Sequence, residues 1–349
     1  MGARSLMPFG PPQLSVIVPA RNEKHFIRGC IESILSDAPA GGIEVIVVDG
    51  LSDDGTTSIV REIASTEPRV RLLDNPSRFV PQAMNLGIQA AAGEFIGRVD
   101  GHCLVERGYF PAAIRKLLEV RCDCAGGVLV NEGRTPTGRS IAAATSSPIG
   151  VGSARFRTGH DQEVLVDTLA FGVYRKDVFH RIGLFDERFV RNQDDELNFR
   201  LVLAGGRILL LPSVRIRYFV RDSLRLLWRQ YFQYGYWKWR VFRKHGRFAS
   251  WRQLAPSTLV LSIALLAVAS LAGRAGQIAL AASLFLYLMA VGLAGAWLAR
   301  RGRAPWMHTA AAIVTLHISY GIGLLVAALR ALTDTGWSRI RPGPTKMSR

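Results

Sequence analysis

The stretch Gly93-Glu94-Phe95-Ile96-Gly97-Arg98-Val99-Asp100-Gly101-His102 is an apolar segment that ends in a carboxylate, a glycine and an imidazole. Its apolar residues predict a short buried strand, and the Asp-Gly pair predicts a turn directly after that strand. Polar side chains that follow a strand in this way are typical of sheets that bind ligands at one edge. This strand is the fourth in a repeated pattern of strand and helix, and the pattern fixes the class of fold.

Three similar apolar segments lie upstream, separated by segments with helical spacing. Strands are predicted at residues 14–19, 43–48 and 70–73, and helices at about residues 24–36, 57–65 and 81–92. This alternation predicts an α/β domain with a Rossmann-like, mostly parallel sheet. Asp49, directly after the second strand, and Asp100 then lie at the same edge, where a nucleotide and a metal ion would bind together. Without the metal ion, two carboxylates would repel a diphosphate.

Other classes of nucleotide-binding protein are disfavoured. No Gly-x-Gly-x-x-Gly follows the first strand and no phosphate-binding Lys motif occurs, which argues against an NAD enzyme and a P-loop NTPase. The four cysteines, Cys30, Cys103, Cys122 and Cys124, have no C-x-x-C spacing, so free thiols in a reducing compartment are expected. Residues 1–12 lack the apolar core of a signal peptide, and none is expected.

The formal net charge of +17 is concentrated in the C-terminal part of the chain. Residues 1–214 carry 24 Lys and Arg against 25 Asp and Glu, whereas residues 215–349 carry 20 against two. A basic segment faces either nucleic acid or anionic lipid. Because this one adjoins long apolar runs, a membrane partner is expected and nucleic acid is not.

Residues 225–247 combine aromatic and basic side chains just before those apolar runs. The mixture is typical of a membrane interface, although aromatics with arginines also occur in proteins that bind single-stranded nucleic acid. Within this belt, the expected contacts with an acceptor or with the interface are Gln230, Tyr231, Tyr234 and Trp237.

Three apolar runs follow at residues 256–273, 277–299 and 306–329, each near the roughly 20 residues that cross a bilayer. With the N-terminal domain in the cytoplasm, Arg300, Arg301 and Arg303 would lie inside, as the positive-inside rule expects. Three complete crossings would leave the basic tail outside, against that rule. Either the tail is an exception to the rule or one run does not cross fully, and both alternatives stay open. The expected organisation is an α/β domain (1–220), basic aromatic interfacial helices (221–254), about three transmembrane helices (255–332) and a basic tail (333–349).

Four segments between residues 16 and 96 resemble the opening signatures of family 2 glycosyltransferases. They are Val-Ile-Val-Pro-Ala-Arg-Asn-Glu (16–23), Val-Val-Asp-Gly-Leu-Ser-Asp-Asp-Gly-Thr (47–56), Ala-Met-Asn-Leu-Gly (83–87) and Ala-Gly-Glu-Phe-Ile (92–96). Asp-Gly-His at 100–102, in place of the commoner Asp-x-Asp, is similar to bacterial succinoglycan-type glucosyltransferases, which extend a lipid-linked sugar. The resemblance covers about residues 14–245. It implies a GT-A fold, a nucleoside-diphosphate-sugar donor that is usually UDP-linked, and Mn²⁺ or Mg²⁺ as cofactor.

The same resemblance implies roles for individual residues. Asp100 and His102 would bind the metal ion, and an imidazole ligand suits Mn²⁺ better than Mg²⁺. Taken without its neighbours, His102 could equally be a hydrogen-bonded loop histidine. The donor would be bound by seven residues, which are Pro19, Ala20, Glu23, Asp49, Asp54, Arg78 and Gln82.

A second acidic cluster lies at Asp194-Asp195-Glu196. By its position in the family, Asp195 would be the catalytic base of inverting transfer, and Asp194 would help to orient the acceptor. The three acids also fit the start of a helix, where the helix dipole favours them. Transfer needs a carboxylate to take the proton of the acceptor hydroxyl and a metal ion to stabilise the departing diphosphate, and the chain has residues for both.

Between the two acidic clusters, a helix is predicted at residues 107–121 and strands at 126–130 and 166–174. Residues 131–163 are rich in Gly, Thr, Ser and Arg without a clear period. They are predicted to be either an irregular loop that contacts the acceptor or plain disorder.

The expected activity is metal-dependent, inverting transfer of a hexose, glucose by resemblance, from a UDP-sugar to a polyprenyl-diphosphate-linked saccharide in exopolysaccharide biosynthesis. The enzyme would be a multi-pass protein of the bacterial inner (plasma) membrane with its catalytic domain in the cytoplasm. A processive polysaccharide synthase is the main alternative. However, Gln233 and Tyr234 replace the Arg and Trp of the Gln-x-x-Arg-Trp motif of those synthases. A non-catalytic, nucleotide-sugar-binding membrane module is the alternative of another class.

Overall fold

The computed structural model describes residues 12–152, 154–246, 250–302 and 304–333, and the chain divides into two compact units. The first unit runs to Val130 and resumes at Gly159–Tyr218. The second contains Asn131–Thr158 and the chain from Phe219 onward. Residues 131–158 thus group with the C-terminal helices.

The first unit is built on one mixed sheet with helices between its strands. Its first part contains β1 (Leu14–Ala20), α1 (Ile27–Ser36), β2 (Ile43–Asp49), α2 (Thr56–Thr66), β3 (Val70–Asp74), α3 (Val80–Ala90), β4 (Phe95–Arg98), β5 (Cys103–Val105), α4 (Tyr109–Glu119) and β6 (Cys124–Glu132). The segment that groups with the second unit contains α5 (Pro136–Thr145), α6 (Pro148–Val151) and α7 (Arg155–Thr158). The first unit resumes with β7 (Val164–Val166), β8 (Val173–Arg175), α8 (Asp177–Ile182), α9 (Gln193–Leu203) and β9 (Ile208–Phe219).

The first half of the sheet is parallel, with β3, β2, β1 and β4 as successive neighbours. In this half, Val16 lies beside Val45 on one side and Gly97 on the other. β1 and β2 are buried over their whole length, which explains their near-continuous apolar sequences. The four strands predicted between residues 14 and 99 are thus confirmed, and their carboxyl ends meet at one edge.

The second half of the sheet is antiparallel. β8 pairs with β4 on one side and β6 on the other, and β9 pairs with both β5 and β7. The predicted α/β class is confirmed, and the parallel arrangement holds for the half that carries the four family-like segments.

The single strand predicted at residues 166–174 was wrong. The structure has two short strands there, and β7 pairs with β9 while β8 pairs with β4 and β6. The residues between them leave the ladder, and the main-chain carbonyl of Leu169 accepts a hydrogen bond from Asn198 of α9 instead. Residues 164–174 therefore form two strands that lie at different positions in the sheet.

The second unit consists of helices. After α5, α6 and α7 it contains α10 (Leu224–His245), α11 (Ala255–Ala269), α12 (Arg274–Gly302) and α13 (Trp306–Thr333). Its core is made by side chains of α5, α10, α12 and α13, which are Ile141, Ala144, Leu227, Tyr231, Val291, Leu298, Ala312, Ile313 and Leu316. Three segments, Trp251–Ala272, Arg274–Arg301 and Trp306–Leu332, are long and apolar enough to cross a membrane. The three predicted apolar helices are therefore confirmed.

The irregular stretch predicted at residues 131–163 was wrong for α5. Thr135 caps this helix, because its side chain accepts a hydrogen bond from the main-chain nitrogen of Gly138, and Pro136 occupies the first turn. Ile141 and Ala144 then place the helix in the core of the second unit. Packing therefore stabilises a sequence whose own helix propensity is low.

Candidate active site

The carboxyl ends of the parallel strands bring the predicted donor and metal residues to one edge. Ala20, the last residue of β1, pairs with Asp49, the last residue of β2. On the other side of β1, Ile17 pairs with Arg98, the last residue of β4, and Asp100 follows two residues later. This edge is where an open α/β sheet binds its ligand.

The loop after β1 is tied to the loop after β2. The main-chain nitrogen of Glu23 donates to the hydroxyl of Thr56 at 2.8 Å, and that of Asn22 donates to the hydroxyl of Ser52 at 2.9 Å. Pro19 and Ala20 are buried beneath this junction. The two loops that are predicted to line the nucleoside pocket are therefore hydrogen-bonded to each other.

Asp49 and Asp54 are both held by this loop pair. Asp49 is almost fully buried and accepts hydrogen bonds from Ser52 and from the hydroxyl of Thr57. Asp54 accepts from Thr56 through one oxygen and from the main-chain nitrogen of Lys24 through the other. Burial raises the pKa of the Asp54 carboxyl, but the hydrogen-bond donors together lower it by more than burial raises it. The pKa of Asp54 therefore lies below its ordinary value. Both carboxylates thus order the loops, and their direct contact with a donor stays a prediction.

Arg78 and Gln82 lie after β3. Arg78 is exposed and has a positive φ of 64°, which a non-glycine residue adopts uncommonly. Gln82, at the start of α3, donates weakly to the carbonyl of Glu187 at 3.4 Å. Both residues thus lie between the end of β3 and the first turn of α3, and their contact with a donor stays a prediction.

Asp100 and His102 lie in the turn between β4 and β5. Nδ1 of His102 is 3.0 Å from Oε1 of Glu23, and the ring packs edge-on against Tyr218. Gly101 is required between the two residues, because a Cβ there would come within 2.9 Å of Cγ of Glu23. Glu23, predicted to line the nucleoside pocket, is therefore the carboxylate that orients the His102 ring.

The donor set of this turn fits a divalent cation. A histidine that binds a metal ion usually contacts a carboxylate through its other ring nitrogen. Here Nδ1 of His102 contacts Glu23, so Nε2 would be the ligand atom. Asp100 adds a partly exposed carboxylate. Among the described residues no cluster of three or more His, Cys, Asp or Glu could hold a metal ion by itself. Asp100 and His102 would therefore share the cation with oxygens of the diphosphate, as is usual for nucleotide enzymes.

The second acidic cluster forms the first turn of α9, which begins after Asn192 at a positive φ of 56°. Glu196 is fully buried and pairs with Arg200 at 2.9 Å, so it has a structural role. Oδ1 of Asp194 accepts a hydrogen bond from the main-chain nitrogen of Asp195 at 2.9 Å. Asn198 anchors the helix by accepting from Tyr174 of β8 at 2.6 Å. This hydrogen bond ties α9 to the sheet about one helical turn beyond Asp194.

The environment of Asp194 perturbs its ionisation. Burial raises the pKa of the Asp194 carboxyl above its ordinary value, the positive charge of Arg98 opposes this rise, and the charges of Asp195 and Asp100 add to it. An aspartate in this position binds a proton more readily than an exposed one.

Arg98 joins the two acidic regions and was not among the predicted site residues. Its side chain is only 7% exposed, and its Nη2 donates to Oδ1 of Asp100 at 2.9 Å. On the other side, its Nη1 is 3.8 Å from Oδ2 of Asp194. Cζ of Arg98 lies 5.9 Å from the ring centre of Phe171. The sequence did contain a signal, which was an arginine inside an otherwise apolar strand. An arginine is buried only when it has a partner, so this position indicated a buried ion pair.

The predicted acceptor contacts lie on α10 in the second unit. Gln230, Tyr231 and Trp237 are buried there, and Tyr234 is partly exposed. The amide of Gln230 donates to the hydroxyl of Tyr234 at 2.9 Å, and Tyr231 belongs to the core of the unit. These side chains therefore contribute to helix packing, and a contact with acceptor or interface stays a prediction for them.

Comparison with known proteins defines the class to which this fold and site belong. The chain superimposes on a mannosyltransferase from Pyrobaculum calidifontis, solved in complex with GDP-Man and Mn²⁺, with a TM-score of 0.59 and 22% identity over 97% of this chain and 92% of the other. This likeness concerns the fold, which is GT-A-like. The predicted class of fold is confirmed.

Residues 15–183 match the family described as Glycosyl transferase family 2 and form a domain of this family, so the predicted family is confirmed. The protein is a glycosyltransferase, as predicted. Over 318 residues the chain is 29% identical to the succinoglycan biosynthesis protein ExoA of Rhizobium meliloti (strain 1021), covering 88% of this chain and 92% of that protein. It is also 25% identical over 240 residues to the dolichyl N-acetyl-alpha-D-glucosaminyl phosphate 3-beta-D-2,3-diacetamido-2,3-dideoxy-beta-D-glucuronosyltransferase of Methanococcus voltae, covering 66% and 74% of the two chains.

Proposed function

We propose that this glycosyltransferase is a metal-dependent, inverting enzyme that moves a hexose from a UDP-sugar to a polyprenyl-diphosphate-linked saccharide. The observation that carries the proposal is the placement of Asp100 and of the Asp194-Asp195 turn on opposite sides of one guanidinium, that of Arg98. Donor activation and acceptor activation need two acidic groups that are distinct and close together. The first unit supplies both.

In this mechanism, Asp195 accepts the proton of the acceptor hydroxyl while the hydroxyl oxygen attacks the anomeric carbon of the donor. The bond from that carbon to the diphosphate breaks, and the configuration inverts. Asp100 and His102 would hold a divalent cation, which when bound neutralises charge that develops on the diphosphate. Glu23 fixes the His102 ring, and Asp194 shapes the turn that carries the base.

The acceptor and the pathway are proposed from the relatives and from the C-terminal helices. One relative takes part in succinoglycan biosynthesis, and the other is named for a dolichyl-linked acceptor. A lipid-linked acceptor also suits a chain with three helices that could cross a membrane. Exopolysaccharide assembly is the corresponding process, with glucose as the sugar to test first.

The proposed location is the bacterial inner membrane, with several crossings and the catalytic unit in the cytoplasm. The polyprenyl acceptor and the nucleotide-sugar would then meet at the inner leaflet. Arg300 and Arg301, at the end of α12, lie on the cytoplasmic side in this orientation, as expected for positive charges near a span.

The proposed function is tested with the full-length protein in detergent. Incubation with a panel of nucleotide-sugars, a lipid-linked saccharide and MnCl₂ should release UDP from one donor, and EDTA should stop the release. Asp195→Asn should lower transfer by about 10²–10⁴-fold while UDP binding remains, because only proton removal is lost. Asp177→Asn is the control, since Asp177 is exposed on α8.

Normal turnover by Asp195→Asn would contradict the assignment of the base. The length of the product separates the alternatives. Addition of one sugar agrees with the proposal, and a ladder of long products identifies a processive synthase. Failure of every donor to react in the presence of Mn²⁺ would leave the non-catalytic binding module as the better description.

A further inference from the structure

Arg98 holds Asp100 in one orientation. Its Nε and Nη2 both donate to the same oxygen, Oδ1, at 3.1 and 2.9 Å. Both donors bind the same oxygen, so the guanidinium donates no hydrogen bond to the second carboxylate oxygen of Asp100. Because the guanidinium is planar and its donors form a rigid fork, this arrangement fixes the carboxylate more firmly than a lysine would.

The third nitrogen of the guanidinium points to the other acidic region. Nη1 is 3.8 Å from Oδ2 of Asp194, which is too long for a hydrogen bond. Nη1 is also buried, and it makes no hydrogen bond to any residue that the structure describes. A buried charged donor without an acceptor is costly, so a small movement that brings Asp194 into hydrogen-bond distance is favourable.

The two carboxylates next to Arg98 are not held equally. One guanidinium faces the carboxylates of Asp100 and Asp194, and it is committed to Asp100 through two of its three nitrogens. If another positive charge neutralised Asp100, the guanidinium would become available to Asp194. The two acidic regions thus compete for one internal cation.

We infer that Arg98 is a positioning residue that couples cation binding at Asp100 to the placement of the α9 turn carrying Asp194 and Asp195. The inference rests on the proposed function, in which Asp100 holds the cation and Asp195 is the base. Asp100, neutralised by a cation that the donor brings, would release Arg98 to bind Asp194. The turn that carries the base would then be set once the donor is loaded.

The simpler view is that Arg98 only stabilises the sheet. The same sheet offers a comparison, because Arg71 of β3, which is 41% exposed, pairs at 3.2 Å with the fully buried Glu44 of β2. Arg71→Gln removes an arginine from a buried carboxylate without touching the site. Any general loss of stability should therefore appear in Arg71→Gln as well as in Arg98→Gln.

The experiment is hydrogen exchange of the full-length protein in detergent, with and without MnCl₂ and UDP, followed by mass spectrometry. In the wild type, loading should slow exchange in residues 98–105 and also in residues 193–199, by at least about threefold in each. In Arg98→Gln the first segment should still be protected and the second should not. Arg71→Gln should behave like the wild type in both segments.

Arg98→Lys keeps the positive charge and guards against a variant that fails to fold. A single ammonium group cannot hold Asp100 and reach Asp194 together, so protection of residues 193–199 should be lost in this variant too. Steady-state kinetics provide a second measurement. Arg98→Gln and Arg98→Lys should each raise the KM for acceptor more than the KM for donor.

The possible failures are distinct. Wild-type protection confined to residues 98–105 would overturn the coupling while leaving the cation site intact. Equal protection of residues 193–199 in the wild type and in both Arg98 variants would overturn it as well. Protection of neither segment in the wild type would overturn the coupling together with the metal-dependent function on which it rests.

Discussion

Single carboxylates around the predicted donor pocket differ in the groups that hold them. Asp54 is bound through both oxygens by donors of the loops that follow β1 and β2, whereas its neighbour Asp53 is exposed. Asp54 therefore fixes the distance between the two loops before any ligand binds. A residue that the family pattern assigns to the donor can act by shaping the pocket as well as by touching the ligand.

This role predicts a pH-dependent effect of Asp54→Asn on stability. Because hydrogen bonds lower the folded-state pKa of Asp54 below its ordinary value of 3.8, its charge stabilises the fold above that value. The contribution is lost as the pH falls through the folded-state pKa. Asp54→Asn should therefore reduce stability by roughly 1–2 kcal/mol near neutral pH, and the difference from wild type should shrink below about pH 4.

The measurement is the midpoint of thermal unfolding of the detergent-solubilised protein across this pH range. Asp53→Asn removes a neighbouring charge from an exposed side chain and should leave the midpoint nearly unchanged. A deficit in Asp54→Asn that is the same at acid and neutral pH would show that ionisation of Asp54 does not stabilise the loops.

Among the strands and helices, predictability from sequence follows the local signal. β1 to β4 were predicted because each is an apolar run that ends in polar loop residues. β9 was not assigned, because its apolar run of residues 208–211 ends at Pro212, and proline normally argues against a long strand. Ser213, Arg215 and Arg217 interrupt the apolar pattern in the rest of the strand. α5 was missed because tertiary packing stabilises it, and no pattern in residues 136–145 shows the helices it contacts. Arg98 was missed for the same reason, since its two partners are distant in sequence from each other.

The helices of the second unit also depend on glycines at their crossings. A Cβ on Gly323 of α13 would come within 2.1 Å of the carbonyl oxygen of Phe232 in α10. A Cβ on Gly235 of α10 would come within 2.0 Å of the carbonyl oxygen of Tyr320 in α13. Main-chain atoms cannot yield to such contacts as a flexible side chain does, so α10 and α13 approach each other closely only because both positions are glycine.

Gly323→Ala is therefore expected to destabilise the second unit by about 1–3 kcal/mol, because the two helices must separate to admit the methyl group. Thermal unfolding monitored by tryptophan fluorescence and hydrogen exchange of residues 224–245 would show the effect. Gly292→Ala is the matched control, since Gly292 lies in α12 with no atom within 4 Å of its added Cβ. Equal stability of the two variants would contradict the close crossing.

For the whole molecule, the separation of charge along the chain agrees with a catalytic unit joined to membrane helices. The near-neutral first part contains the sheet and its site, and the basic part contains α10 to α13. The cysteines provide a way to examine this arrangement, because all four are buried in the first unit. Burial also raises the pKa of Cys30 to about 12. A thiol of this kind carries almost no thiolate at neutral pH and reacts slowly with alkylating reagents.

The native cysteines should therefore react little with a labelling reagent, so that cysteines introduced at the ends of the apolar helices can be detected. With the catalytic unit in the cytoplasm and α11 and α12 both crossing, Arg274→Cys should react with a membrane-impermeant maleimide in intact spheroplasts, because position 274 lies outside. Ala304→Cys, between α12 and α13, should react only after the membrane is permeabilised. Ser58→Cys, on an exposed position of α2, should behave like Ala304→Cys and marks the cytoplasmic side. Labelling of positions 274 and 304 from the same side would show that α12 does not cross, and labelling of position 58 in intact spheroplasts would place the catalytic unit outside.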